Sequence, residues 1–384
     1  MKTIYLDHQA TTPTTTSVLQ VMEPYWNEKF GNPHSSEHII GMIADRKIED
    51  AKEQISSHLC CEPDEIFFTS GATESNNTAI YSLCALSRSR SEKQVIITAI
   101  EHKCIIEAAK HWTAVFGLDL KVLDVDEQGF IERSQLIEFL KTPTLFCSIM
   151  AANNEIGTIQ KLDEISEIVW AAGSLLHSDA AQALKTDLEY DVCEHVDVAS
   201  FSGHKIGGPQ GIGCIYISAS IQQDFTPLIL GGGQQNGIRS GTLPLPLCIG
   251  LGQAFADLAS YDFAQIRQTR NMLFKSLAAS IDGIRLNGPR LENRHACNLN
   301  IYFPNIESAD LIAGIQPHIA VSSGSACGSG SIEPSYVLRA LPLDIDVSRN
   351  SIRISVGGGT SEQDVINAVN VITRKCRLDL TLNI

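Results

Sequence analysis

Short continuous apolar runs rich in β-branched residues alternate along this chain with longer stretches whose apolar positions recur every three to four residues. The first kind predicts strands at 65–69, 95–98, 145–149, 174–177, 196–201 and 213–217. The second predicts helices at 39–59, 73–86, 104–115 and 161–172. Strands that are apolar throughout are buried on both faces, and strands separated by helices need crossover connections. The pattern therefore predicts an α/β fold around a mostly parallel sheet. In such sheets ligands bind beyond the carboxyl ends of the strands. Residues 1–7 read as a further strand. After about Leu251 the rhythm changes to one long helical stretch reaching about Ile281, followed by strands at 296–302, 319–322 and 351–356. We read a large domain over 15–255 and a smaller α+β domain made of 1–14 and 256–384. Glycine clusters at Gly207-Gly208, at 231–233 and at 357–359 mark tight turns or close backbone approaches.

Composition narrows the function classes. Of 384 residues, 43% are hydrophobic and 19% charged, an ordinary balance for a chain with a sizeable core. A formal charge of −15 argues against direct nucleic-acid binding, which needs a basic stripe. No run approaches the ~20 apolar residues of a membrane span. The first residues lack the apolar run of a signal peptide. With eleven cysteines in no metal-finger spacing, the expectation is reduced thiols in the cytoplasm. Cys84, Cys147, Cys214 and Cys297 lie in apolar runs and read as core residues, and Cys60-Cys61 ends a helical pattern.

Several strand ends carry chemistry. Ser202, His204 and Lys205 follow the run at 196–201 and precede a glycine-rich turn. A lysine so placed is able to form a Schiff base with an aldehyde cofactor, although a lone lysine is ordinarily a solvated surface group. Asp179 and Gln182 follow another strand; a carboxylate there suits a protonated ring nitrogen, or simply caps the next helix. Ala72 and Thr73 open a helix whose amides and hydroxyl suit a phosphate, or again only a cap. His102 and Asn154 end two further strands, offering an imidazole for stacking and proton movement and an amide for cofactor or substrate oxygens. Read singly, each has a structural explanation; together they point at one rim.

These motifs resemble fold-type I pyridoxal-phosphate enzymes, in particular the class V aminotransferase branch that contains the NifS/IscS-like cysteine desulfurases. The resemblance runs from Tyr5-Leu6-Asp7-His8-Gln9-Ala10-Thr11-Thr12-Pro13 to the segment 351–360. It implies pyridoxal 5'-phosphate as cofactor, with Lys205 as the Schiff-base lysine, Asp179 facing the ring nitrogen and Gln182 facing the ring oxygen. It places His102 on the ring and gives Ala72, Thr73, Ser202 and His204 to the phosphate, with Asn154 beside cofactor and substrate. Thr242, in Arg239-Ser240-Gly241-Thr242, would reach the phosphate of a second subunit, implying a homodimer. Arg353 would bind the substrate carboxylate, and Asn32 would belong to a substrate-side loop.

The small, polar, glycine-rich run from Ser322 to Ser331 holds a single thiol, Cys327. It is similar to the nucleophile loop of the NifS/IscS group. The implied reaction takes sulfur from L-cysteine, leaves L-alanine and a persulfide on Cys327, and passes the sulfur to an iron–sulfur scaffold or a sulfurtransferase. Selenocysteine lyase, another class V lyase or aminotransferase activity, and a non-enzymatic partner-binding dimer are the competing readings. Three departures from the family bear on the sulfur acceptor. Gly207 and Gln210 stand where the family commonly has an aromatic residue and a lysine. The run 357–359 lacks a basic residue, and Ile384 is the last residue where longer members extend to dock a scaffold.

Overall fold

The computed structural model describes residues 3–186, 188, 190–323 and 335–382. Cys327, the sequence candidate for the nucleophile, lies outside the described residues. Strand β1 is Ile4–Tyr5, and helices α1 (Thr16–Met22) and α2 (Ile39–Leu59) follow it. On α2, Gly41, Ala44, Ile48, Ala51, Ile55 and Leu59 recur at helical spacing and are buried. The helix starts where His38 Nδ1 accepts the Gly41 N–H at 3.0 Å, and it stops where Cys60 turns left-handed.

Next come β2 (Ile66–Thr69), α3 (Ala72–Ala85), β3 (Gln94–Thr98), α4 (Lys103–Phe116), β4 (Asp119–Leu123), α5 (Arg133–Phe139) and β5 (Thr144–Ser148). They are followed by α6 (Leu162–Ala171), β6 (Leu175–Asp179), β7 (Val198–Ser202), β8 (Gly213–Ile217) and α7 (Leu245–Asp257). The strands form one seven-stranded sheet in the order β2-β8-β7-β6-β5-β3-β4. Only β8 runs against the others, pairing antiparallel with both β2 and β7. Every residue of β2, β3, β5, β7 and β8 is buried, as strands covered on both faces are.

Several elements differ from the sequence reading. β4 was not expected: its alternating Asp119-Leu120-Lys121-Val122-Leu123 belongs to a half-exposed edge strand rather than a buried one. The long helical stretch to Ile281 is two helices, α7 and α8 (Phe263–Ser280). The second starts afresh where the Asp262 side chain accepts the Gln265 N–H at 2.8 Å.

Beyond α8 lie β9 (Arg285–Leu286), β10 (Asn298–Tyr302), α9 (Ser308–Ile315), β11 (Ile319–Ala320), α10 (Tyr336–Ala340), α11 (Ile345–Arg349), β12 (Ser351–Ser355) and α12 (Glu362–Leu382). A three-stranded antiparallel sheet, β12-β10-β9, and the parallel pair β1-β11 pack with α8, α9 and α12 around their own apolar cluster, which takes in Leu6. Val337, Leu338 and Leu341 are placed otherwise: they join the core under the large sheet. Among the described residues no helix is long and apolar enough to cross a membrane.

The segment after β1 joins the two cores. The Thr12 and Thr15 N–H groups donate to the His204 and Gly207 carbonyls, and the Ser355 N–H donates to Leu6 O. Gly207 (φ +84°) leaves room for this crossing, since a Cβ there would lie 2.8 Å from the Thr15 methyl.

Candidate active site

The carboxyl ends of β2, β3, β5, β6 and β7 reach one rim, and a cavity of about 600 Å³ opens there. Of the sequence candidates, Ala72, Thr73, His102, Asn154, Asp179, Gln182, Ser202, His204, Lys205 and Arg353 all line it. Asn32 and Thr242 do not. Asn32 Oδ1 accepts the His34 N–H at 3.0 Å in a local turn, and Thr242 is exposed.

One end of the cavity is built for an anion. Helix α3 begins at Gly71, whose φ of +146° excludes other residues, and no side chain caps it. Its first-turn N–H groups and positive dipole end face the rim beside Ser202. Gly213 keeps this corner compact, because a Cβ there would sit 2.4 Å from the Phe201 carbonyl oxygen and 2.8 Å from Gly71 Cα. Glu74 steadies the turn: one of its carboxylate oxygens accepts the Ser70 N–H at 2.9 Å. Arg239 also grips Glu74, at 2.8 Å and 3.2 Å. Burial pushes the Glu74 pKa up, but the Arg239 and Ser70 hydrogen bonds outweigh it and hold the group below its usual range. This fork ties the segment carrying Thr242 to the anion end.

Deeper in the cavity, Asp179 is buried at the end of β6. Its Oδ2 accepts from Asn76 Nδ2 at 2.7 Å and its Oδ1 from the Ala181 N–H at 3.0 Å. Lys205, in the turn after β7, donates from Nζ to the Gln9 and Ala10 carbonyls at 2.7 and 2.8 Å. Gln182 Nε2 donates to the same Gln9 carbonyl at 2.9 Å. His204 Nδ1 lies 3.1 Å from Thr11 Oγ1. Burial, aided by the Lys205 charge, lowers the His204 pKa to about 4, so it is neutral at pH 7. His102 caps α4, its Nδ1 accepting the Cys104 N–H at 3.2 Å.

The small domain supplies Arg353, from β12. Its Nη2 pairs with Asp7 Oδ1 at 2.7 Å and its Nη1 donates to the Asn154 carbonyl at 3.1 Å. Its buried Nε has no partner among the described residues. The Arg353 backbone exchanges hydrogen bonds with Ser322 at 2.7 and 3.2 Å. Ser335 donates its hydroxyl to Glu155. The two flanks of residues 324–334 are thus fastened next to two cavity residues, Arg353 and Asn154.

Two buried acids were not singled out from the sequence, although each follows an apolar strand directly enough to be noticed. Glu101 Oε1 accepts from Thr98 Oγ1 and the Met150 N–H, both at 2.8 Å, which joins the ends of β3 and β5. Burial first, and then the Asp179 charge, lifts its pKa to about 8. Burial likewise lifts Glu155 to about 7, against Ser335 and the positive groups Arg353, His102 and Lys103. Asn76 and Cys104, which touch Asp179 and His102, were also unseen, because each sits inside a helix pattern without a motif of its own.

The arrangement matches known proteins in sequence and shape. The class-V aminotransferase family matches residues 4–367. The chain is 42% identical over 378 residues to the cysteine desulfurase IscS of Rickettsia bellii, spanning 97% of this chain and 90% of that one. Against IscS of Rickettsia prowazekii it is 41% identical over 377 residues, with the same coverage. A solved NifS-like protein superposes with a TM-score of 0.89 at 33% identity, covering 98% of this chain and all (100%) of the other. A structure described as SspA in complex with cysteine superposes at 0.81 with 34% identity, covering 92% and 98%. On these grounds the chain belongs to the class-V aminotransferase family and, within it, to the NifS/IscS-like cysteine desulfurases.

Proposed function

We propose that this protein is a pyridoxal 5'-phosphate-dependent cysteine desulfurase that moves the sulfur of L-cysteine onto Cys327. One observation carries the reading. A lysine amine, a buried carboxylate, an uncapped helix N-terminus and a guanidinium meet in one cavity of about 600 Å³. The residues fit the cofactor end to end. The corner formed by Gly71, Thr73 and Ser202 takes a phosphate, and the Asp179 carboxylate suits a protonated ring nitrogen. Bound there, pyridoxal phosphate supplies an aldehyde that condenses with amines and a ring that withdraws electrons from the substrate α-carbon.

The chain's own groups then have distinct tasks. Lys205 Nζ, held by the Gln9 and Ala10 carbonyls, is the amine that would hold the aldehyde and would carry the α-proton. Asp179 would face the ring nitrogen, with the Asn76 amide and the Ala181 N–H holding its two oxygens in place. Arg353 is already oriented by Asp7 and Asn154 and offers its fork to the substrate carboxylate. His102, which lines the cavity, would hold or pass a proton at its imidazole. Cys327 Sγ, as thiolate, bonds the substrate sulfur and becomes a persulfide; the carbon–sulfur bond breaks, and protonation at carbon completes alanine. The fastening of Ser322 and Ser335 beside Arg353 and Glu155 supports this role for Cys327.

The protein acts as a homodimer in this reading. Trp26, Phe30, Ile39, Ile40, Met42, Ile43 and Leu230 leave large apolar surfaces exposed on one chain. Thr242 is exposed and tied through Arg239 to the anion corner, as a residue serving a second copy's phosphate would be. Asn32 lies close in sequence to the apolar group and serves the substrate side from there. The acceptor is an iron–sulfur scaffold or sulfurtransferase, and the reaction belongs in the reducing cytoplasm. The test is one turnover of L-cysteine with loaded protein and with Cys327→Ala. Alanine and a persulfide mapped to Cys327, both lost in the variant, are expected. Undiminished alanine from the variant refutes the role of Cys327.

A further inference from the structure

One group in the cavity has no part in that reaction. Cys104, in the first turn of α4, lines the wall with its thiol 3.0 Å from His102 Nδ1. Asn76 Nδ2 donates to Cys104 Sγ at 3.2 Å and to Asp179 Oδ2 at 2.7 Å. A ring nitrogen of His102, Sγ of Cys104 and a carboxylate oxygen of Asp179 all lie within 4.8 Å of one another. Imidazole, thiolate and carboxylate together form a ligand set for zinc-class cations. With bonds of about 2.0 to 2.3 Å, ligand atoms around a tetrahedral zinc stand about 3.5 Å apart, within reach of modest side-chain rotation. Two of the groups stand together at the start of α4 and the third at the end of β6. Asn76 steadies two of them at once, as outer-shell partners of metal ligands do. The plain alternative is that Cys104 only fills space beneath His102.

We infer that, while the cofactor is absent, His102, Cys104 and Asp179 bind a zinc-class divalent cation whose fourth position opens into the cavity. Binding forms a metal–sulfur bond and releases the Cys104 thiol proton to solvent, with no change of oxidation state. Because the proposed function gives His102 and Asp179 to the ring, metal and cofactor exclude each other. Excess thiophilic metal then blocks cofactor loading, and the loaded protein is protected from it.

The test uses the full chain as Cys327→Ser, which removes the loop thiol, stripped of cofactor and titrated with Co²⁺ and then Zn²⁺. We expect one Co²⁺ per chain with an intense near-ultraviolet thiolate-to-cobalt band and release of one proton. Adding Cys104→Ser should abolish the band and weaken binding by more than about tenfold. Bound Zn²⁺ should stop pyridoxal phosphate uptake until a chelator is added, and loaded protein should show no such cobalt band. A cobalt spectrum without the thiolate band, or one unchanged by Cys104→Ser, overturns the site. Cofactor uptake at an unchanged rate with Zn²⁺ bound overturns the exclusion. Uptake by the metal-free variants reports that they are folded. Failure of metal-free Cys327→Ser to take up any cofactor counts instead against the proposed function, because the cobalt band is read independently.

Discussion

Glu101→Gln isolates the acid that joins the strand ends carrying His102 and Asn154. Glutamine keeps an oxygen for the Thr98 hydroxyl and the Met150 N–H, each at 2.8 Å, and its amide replaces an Oε2 that has no partner among the described residues. What changes is the titration. The folded-state pKa is about 8 against an ordinary 4.5, so the folded chain holds this proton more tightly than the unfolded one. Its stabilising effect is therefore full below pH 4.5 and is lost as pH rises through about 8. At about 1.4 kcal/mol per unit, the wild type at pH 8 is on the order of 4 kcal/mol less stable than a side chain that stays neutral. Urea midpoints of cofactor-free protein at fixed protomer concentration, taken from pH 5 to 8, measure the difference. The wild type should lose stability steadily with rising pH. The variant should be nearly level with it at pH 5, show a flatter slope and be clearly more stable at pH 8. Glu155, at about 7, leaves both proteins a common residual slope. Equal slopes, or a variant weaker than wild type at pH 8, would refute the reasoning.

The anion corner, the proposed substrate clamp and the proposed subunit contact make three further predictions. Gly213→Ala drives a Cβ into the Phe201 carbonyl and Gly71, so cofactor affinity measured by absorbance titration should fall more than about tenfold. Arg353→Lys keeps the charge but loses the fork, so KM for L-cysteine should rise by about tenfold or more in steady-state assays while cofactor uptake persists. Unchanged KM would take Arg353 out of the clamp. Ile40→Glu sets a charge in the exposed apolar group, and light scattering should report a dimer for the wild type and monomers for the variant.

The buried strands were legible in the sequence because a parallel sheet covered on both faces forces unbroken apolar runs such as Ile66-Phe67-Phe68 and Val95-Ile96-Ile97. β4 escaped for the converse reason: an edge strand keeps Asp119 and Lys121 toward water and blurs its signal. The break between α7 and α8 was hidden because apolar spacing continues across it, and only the Asp262 cap marks the restart. At the site, residues just past strand ends were readable because the sheet sends all its parallel strands to one rim. Asn76 and Cys104 touch those residues from inside helix patterns, and such contacts depend on distances between elements that no linear spacing encodes. Gln9 and Ala10 show the same limit, since they serve Lys205 through backbone carbonyls that any residue possesses.

The crossing of the first residues over the rim has a consequence for how the protein is made. Lys205 rests on carbonyls of Gln9 and Ala10, and Arg353 is steadied by Asp7. One wall of the cavity thus leaves the ribosome before the strands of the large sheet, and the guanidinium that Asp7 steadies leaves it after them. A growing chain has the whole sheet by β8 but lacks the clamp until β12 has emerged. Capture of the cofactor by a complete pocket accordingly has to wait for β12, and until then residues 7–10 must stay available for partners that have not yet been translated.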